Sequence, residues 1–290
     1  MYALQVVVGD LAGVSQSTVS RIIQRVSLLI ASLIQQYIRF PTTLAERATT
    51  ISHFHAIANF PKVLGAIDCT HVAIQSPGGD HAELYRNRKG YFSINVQAIC
   101  DAKLKFTNVI ARWYGSAHDS TLFAHSRICA QFELGKITNG HLLGDGGYAC
   151  KKYLLTPLAN TTTAGERNYN FAQIRSRNPI ERSFGVLKRR FPCLQLGIRV
   201  KLETTLNVIV SCFILHNIAQ QHGDNDAPDD TTLIHGRHIY EEIPAPQNIR
   251  GTVAGATSAR TALINDYFTR QEHLTSTLNK LTCYVATVRY

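Results

Sequence analysis

The stretch LGAIDCTHVAI, residues 64 to 74, decides how the rest of the chain is read. It is short, apolar and rich in β-branched residues, and Phe60-Pro61 and Pro77-Gly78-Gly79 bound it. Such a run reads as a buried strand. Yet Asp68 sits in its middle. A carboxylate in a buried strand is costly unless a partner or a metal ion compensates its charge. Either Asp68 bonds a backbone amide at a frayed strand end, or it is a metal ligand whose companions lie elsewhere in the chain.

Working outward, YFSINVQAICD (91–101) alternates through Ile94, Val96 and Ala98, DAKLK suggests a turn, and FTNVIARWY (106–114) gives a further strand. This predicts a hairpin meander. The loop GSAHDS follows, then a helical segment near 119–132. HLLGDGGYA (141–149) reads as a short strand ending in a glycine-rich turn. A helix is expected over 178–191, with Asn178 as N-cap, Pro179 at the first helical position and Glu181 at the third. Ile180, Phe184, Leu187 and Phe191 form its apolar stripe, with Glu181 at the border. Residues 203–221 predict an apolar helix, and GDNDAPDD from 223 reads as an acidic linker or exposed loop. No internal repeat is present.

Residues 6–39 read as helical. Gly13 separates two segments, Ser15 or Ser17 can cap the second, and Val19, Ile22, Ile23 and Val26 recur at helical spacing. The pattern fits a helix-turn-helix, in which Gln16, Ser17, Thr18, Ser20 and Arg21 face a DNA groove. An ordinary helical hairpin has the same pattern. The motif lies near the first residue, so the expectation is a helix-turn-helix without its supporting first helix.

The 290 residues carry a net charge of +10 and a pI near 9.4, with 45% hydrophobic and 17% charged residues. A sizeable core is expected, and a polyanionic partner suits the charge. Seven scattered cysteines without a CxxC pair point to a reducing compartment, cytosol or nucleus. No signal-peptide pattern is expected at the N-terminus, and VSLLIASLI (26–34) is too short to span a membrane.

Three further acids complete the question that Asp68 raises. Asp145 lies where a strand runs out into Asp-Gly-Gly, which is also ordinary turn chemistry. Glu181 could close a capping box. Asp119 could cap a helix. His71 and His118 neighbour two of these acids and are more often structural hydrogen bonders than ligands. If the strands bearing Asp68 and Asp145 adjoin, and the Glu181 helix packs on that sheet, three hard oxygen ligands suit Mg²⁺ or Mn²⁺. Two such ions, roughly 3.5–4 Å apart, can activate water and stabilise the leaving oxygen of a phosphodiester. Between Arg167 and Lys201 the sole acid is Glu181, among nine basic residues that include Arg177, Arg182, Lys188, Arg189 and Arg190. Arg86, Arg88 and Lys89 add a second basic cluster in YRNRKGY. Such surfaces suit a phosphate backbone approaching a metal.

IDCTH, NRKGYFSINVQAICDA, GSAHDS, LLGDGGY, IERSFGVLKRRF and LHNIA follow one another as in the PIF/Harbinger transposases, including the transposase-derived members of animals. The resemblance covers about residues 60–222, and VGDLAGVSQSTVSRI resembles that family's helix-turn-helix region. It implies an α/β fold, a ribonuclease-H-like mixed sheet flanked by helices, with a divalent-metal site. Its carboxylates fall on Asp68, Asp145 and Glu181, and Asp119 matches a further acid that the family carries. Gly146 and Ala149 stand where the family usually has serine and proline. The resemblance also implies a separate Myb-like DNA-binding partner.

The expected organisation is a helical, helix-turn-helix-like segment over 1–58, a nuclease domain over 59–222 and an extension over 223–290. The expected function is metal-dependent cleavage of DNA, in the nucleus and also the cytoplasm. Asp68, Asp145 and Glu181 are the catalytic ligands, with Asp119 accessory, and Arg182, Lys188, Arg189 and Arg190 hold the backbone. The alternative is a catalytically retired transposase acting as a DNA-binding or adaptor protein. A metal phosphatase on small substrates also fits the acids but leaves the basic stretch unexplained.

Overall fold

The computed structural model describes residues 2–223 and 254–270. Four helices come first: α1 (Tyr2–Ala12), α2 (Gln16–Ser32), α3 (Ile34–Tyr37) and α4 (Leu44–Ala58). Strands β1 (Val63–Ala73), β2 (Ser93–Cys100) and β3 (Phe106–Tyr114) follow, then α5 (Asp119–Ala124) and α6 (Arg127–Glu133). Next come β4 (His141–Leu143), β5 (Leu154–Leu155), α7 (Ala164–Arg190), α8 (Cys193–Leu196) and α9 (Leu202–Gln221), and finally α10 (Ala254–Leu263).

The strands form one sheet in the order β3-β2-β1-β4-β5. β1, β2 and β3 pair antiparallel, whereas β4 runs parallel to β1 and β5 parallel to β4. β1 is therefore the hinge between a meander and a parallel half. Its first half is buried on both faces, which explains the unbroken run Val63, Leu64, Ala66, Ile67. Gly65 in that run is required by contact: a Cβ there would lie 2.5 Å from Cγ2 of Ile99 on β2. β2 is buried along its whole length. Its alternation divides two covered faces, apolar (Ile94, Val96, Ala98) and polar (Ser93, Asn95, Gln97).

The apolar face of β2 joins a core with Phe54 of α4, Ile180, Phe184 and Leu187 of α7, and Phe213 of α9. Leu64, Ile67 and Ile99 pack on the other side with Phe123 of α5, Ile128 and Phe132 of α6, and Tyr148. Ile38 and Phe54 share the first core with Phe60 and Val63, so packing runs unbroken across residue 58. α2 packs on α9, where Ser211 Oγ donates to the Ser27 carbonyl at 2.9 Å. Asn217 Nδ2 donates to the carbonyls of Tyr37 (2.9 Å) and Phe106 (2.7 Å), and its Oδ1 accepts from the Phe106 amide at 2.8 Å. Among the described residues α9 alone is long and apolar enough to cross a membrane. Here it is a core helix, with Ile209, Phe213, His216 and Asn217 fully buried.

Two sequence expectations are corrected. The helix expected over 119–132 is two, because Ser126 caps α6 by accepting from the Cys129 amide at 3.1 Å. The short strand expected from 141 is β4, which gives way after Leu143 to the expected glycine-rich turn. The helix expected from 178 begins at Ala164, capped by a Thr163–Glu166 capping box. Asn178 and Pro179 are thus interior, and Pro179 costs α7 one backbone hydrogen bond that the tight packing of Ile180 and Leu187 offsets. The acidic linker expected from 223 lies, beyond Gly223, outside the described residues. Of the expected extension, residues 254–270 pack on the core: Ile264 and Phe268 are buried, and Phe268 meets the rings of Phe60 and Tyr169 at 5.3 and 5.6 Å.

Candidate active site

The turn after β4 brings Asp145 to Asp68. Leu143 of β4 pairs with Ala66 of β1 in parallel register, so two residues further on Asp145 lies beside Asp68. Asp145 Oδ1 accepts from the Gly147 amide at 3.0 Å, which fixes the carboxylate in its turn. Asp68 Oδ1 accepts from the Cys69 amide at 2.7 Å. Its Oδ2 accepts from Nη1 of Arg177 at 3.2 Å. The other arm of that guanidinium, Nη2, donates to Glu181 Oε1 one helical turn further along α7. The partner that a buried Asp68 requires is therefore a cationic side chain 109 positions away.

Asp119 opens α5 without acting as its cap, since His118 holds that position and makes no side-chain cap bond. Instead Asp119 Oδ1 accepts from Nδ2 of Asn95 at 3.0 Å. Asn95 pairs with His71 across β1 and β2, and His71 Nδ1 lies 3.0 Å from Ser93 Oγ. His118 is 2.6 Å from the guanidinium of Arg88. Asn95 and Arg177 are thus site residues that sequence reading did not single out. The four-residue spacing of Arg177 and Glu181 was the available signal for one of them.

Electrostatics tie the acids together. Burial pushes Asp68 up from 3.8 to about 7, the neighbouring Asp145 adds to the rise, and Arg177 works against it. Asp145 is also raised, again chiefly by burial, with the Gly147 amide and Arg177 opposing and Asp119 and Glu181 adding. Arg177 is held more firmly charged than usual: burial opposes its charge, but Asp68, Glu181 and Asp145 together outweigh it. His71 is lowered by burial; Asp119 pulls the other way, and Lys188, Lys89 and Arg88 add to the lowering. Burial also lowers Lys188, whose Nζ lies 3.4 Å from the His71 carbonyl.

The donor chemistry fits a hard divalent ion: carboxylate oxygens in a half-buried place where a single guanidinium faces three acids. Among the described residues, however, no three His, Cys, Asp or Glu side chains are placed to hold an ion as they stand. Arg177 supplies the positive charge between Asp68 and Glu181 instead.

The expected DNA contacts divide. Arg182 and Arg189 are exposed on α7, and Lys188 reaches toward β1. Arg190 turns to α9, with its guanidinium 3.2 Å from His216 Nδ1. Gln16, Ser17, Thr18 and Arg21 lie in the first turns of α2, where Ser15 is the N-cap and Arg21 donates to Thr18 Oγ1 at 3.3 Å. They belong to the helical layer on α9.

Residues 67–217 match the DDE superfamily endonuclease family, a span that holds all four acids and Arg177. The chain belongs to this family. The human and Xenopus laevis proteins named "Putative nuclease HARBI1" are 34% and 31% identical over 224 residues, 76% of this chain and 64% of each relative. An Arabidopsis thaliana protein named "Protein ALP1-like" is 27% identical over 239 residues, 77% of this chain and 58% of the relative. The matched region therefore spans just under two thirds of the curated relatives' length. No solved structure matches the chain. The Harbinger character of the motifs holds, and the five-stranded mixed sheet with its flanking helices is the ribonuclease-H-like fold of a DDE endonuclease domain.

Proposed function

We propose that the protein is a divalent-metal-dependent DNA endonuclease of transposase origin. The observation that carries this reading is the convergence of Asp68 from β1, Asp145 from the β4 turn and Glu181 from α7 around the Arg177 guanidinium, in a half-buried place. In this reading Asp68, Asp145 and Glu181 hold Mg²⁺ or Mn²⁺, with Asp119 as an accessory ligand. The ions, when bound, supply an activated water and positive charge for the leaving oxygen. Asn95 orients Asp119 through its amide hydrogen bond. Lys188, Lys89 and Arg88 gather around His71 beside the acids and hold backbone phosphates, with Arg182 and Arg189 extending that surface along α7. Their charge suits a polyanion and not a small phosphate ester. The four residues at the start of α2 are a second candidate DNA contact. A DNA substrate supports action in the nucleus, with the cytoplasm as a second location, and the Harbinger resemblance supports a Myb-like protein as targeting partner.

A second reading, a DNA-binding adaptor without catalysis, is favoured by Arg177, which pairs with two of the acids while no three donors gather around an ion among the described residues. Cleavage of supercoiled DNA in Mg²⁺ or Mn²⁺ separates the two. The nuclease nicks DNA, and both Asp68→Ala and Glu181→Gln abolish nicking. Absence of nicking in every metal and partner condition, with DNA retention unaltered by either substitution, leaves the adaptor.

A further inference from the structure

Arg177 is a buried arginine on the same face of α7 as Glu181, one turn before it. A guanidinium has two separately directed terminal nitrogens, so it can serve two carboxylates at once. Here one arm takes Asp68 on the central strand and the other takes Glu181 on the helix. Asp145, fastened in its turn by Gly147, adds a third negative charge that the same arginine feels. One cation is therefore shared by three acids drawn from three elements. An arginine needed merely to fasten α7 to the sheet would require no more than its bond to Asp68. The helix is already fastened elsewhere, by Ile180 and Leu187 in the core and by Gln173 Nε2 donating to the Gly144 carbonyl at 2.8 Å. The pair with Glu181 also borders solvent, since the Glu181 side chain is 53% exposed, so the guanidinium has a way out.

We infer that Arg177 is a built-in counter-cation of the carboxylate site, holding Asp68 and Glu181 together in the metal-free protein and leaving that place when a divalent ion binds there. The inference rests on the metal-site reading given under Proposed function and adds to it a competitor carried by the chain. The guanidinium and a divalent ion compete for Asp68 Oδ2 and Glu181 Oε1, so the apparent ion affinity scales with the fraction of molecules in which Arg177 has left its seat. Reciprocally, each bound ion releases a guanidinium beside the acids.

The test uses the full chain in chelator, titrated with Mn²⁺ and followed by calorimetry and by thermal melting. The variants are Arg177→Gln, which removes the charge, and Arg177→Lys, which keeps it but reaches a single carboxylate. Asp68→Asn is the control for the location of the ion. Without metal, Arg177→Gln melts below wild type, because the acids then face one another uncompensated. It binds Mn²⁺ roughly ten-fold tighter than wild type or more, and Arg177→Lys binds a few-fold tighter at unchanged charge. Asp68→Asn loses the binding. Equal Mn²⁺ affinity in wild type and both Arg177 variants overturns the counter-cation while leaving the metal site standing. Tighter binding by Arg177→Gln with Arg177→Lys identical to wild type also overturns it, since charge at a distance then suffices. If Mn²⁺ binds none of these proteins, or binds Asp68→Asn undiminished, the metal-site reading itself falls. Should Arg177→Gln fail to fold, the comparison of Arg177→Lys with wild type decides alone.

Discussion

Replacing Asp68 by Asn should change how stability depends on pH more than it changes stability itself. In the folded metal-free protein burial raises this carboxyl from 3.8 to about 7. Between those values the folded state keeps a proton that the unfolded chain has lost. Stability therefore falls as pH rises through that window and levels off above it. Each pKa unit is worth about 1.4 kcal/mol, so Asp68 removes about 2.5 kcal/mol of stability between about pH 5 and pH 8. Asparagine can still accept from Arg177 Nη1 but does not titrate. The difference in unfolding free energy between variant and wild type should thus grow in the variant's favour by about 2.5 kcal/mol over that range. Urea unfolding in chelator, at several pH values across it, measures this directly. Asp145, which is also raised, is present in both proteins, so the comparison reads the loss of Asp68 together with its coupling to Asp145. A difference that stays constant with pH would refute the reasoning, because Asp68 would then titrate alike in folded and unfolded chains.

The other expectations concern the core and the basic surface. His141 and His216 are both lowered to about 4 by burial, so each stabilises the fold above pH 6.5 and loses that contribution as pH falls toward 4. His216→Gln should flatten the acid limb of the stability profile by up to about 3 kcal/mol, and an unchanged limb would show that His216 charges freely in the fold. Asn217→Ala should cost about 2–4 kcal/mol in denaturant unfolding, because it leaves two carbonyls and an amide of Tyr37 and Phe106 unpaired; a loss below about 1 kcal/mol would mean that water replaces the side chain. Lys188→Met should weaken DNA binding similarly on all sequences and reduce the salt-dependence slope by about one. An unaltered slope in filter retention across a salt series would remove Lys188 from the phosphate contacts.

Much of the site was legible in the residues because local rules govern it. Asp68 was conspicuous because a charge in the run from Leu64 to Ile74 violates the economy of a buried strand. The meander over 93–114 follows from alternation and from Asp101, whose carboxylate accepts from the amides of Lys103 and Lys105 in the turn. Motif order along the chain pointed to the family, since it needs no knowledge of contacts. The start of α7 was misread for an equally local reason: Asn178-Pro179 is a good helix opening, but an earlier opening at Thr163 with Glu166 won, and packing then carried the helix through the proline.

What the sequence by itself determined is which residues are chemically out of place: an aspartate in a strand, a glutamate among arginines, a basic surface with few acids. What only the tertiary structure decided is who answers them. Asp68 and Arg177 are 109 positions apart and meet only because β1 is central and α7 crosses it. Asp145 joins them because β4 runs parallel to β1 in that register. Asn95 finds Asp119 because the polar face of β2 is covered by α5. Spacing along the chain governs contacts within a turn or a hairpin, whereas pairing across a sheet depends on strand order and register, which every element of the fold settles together.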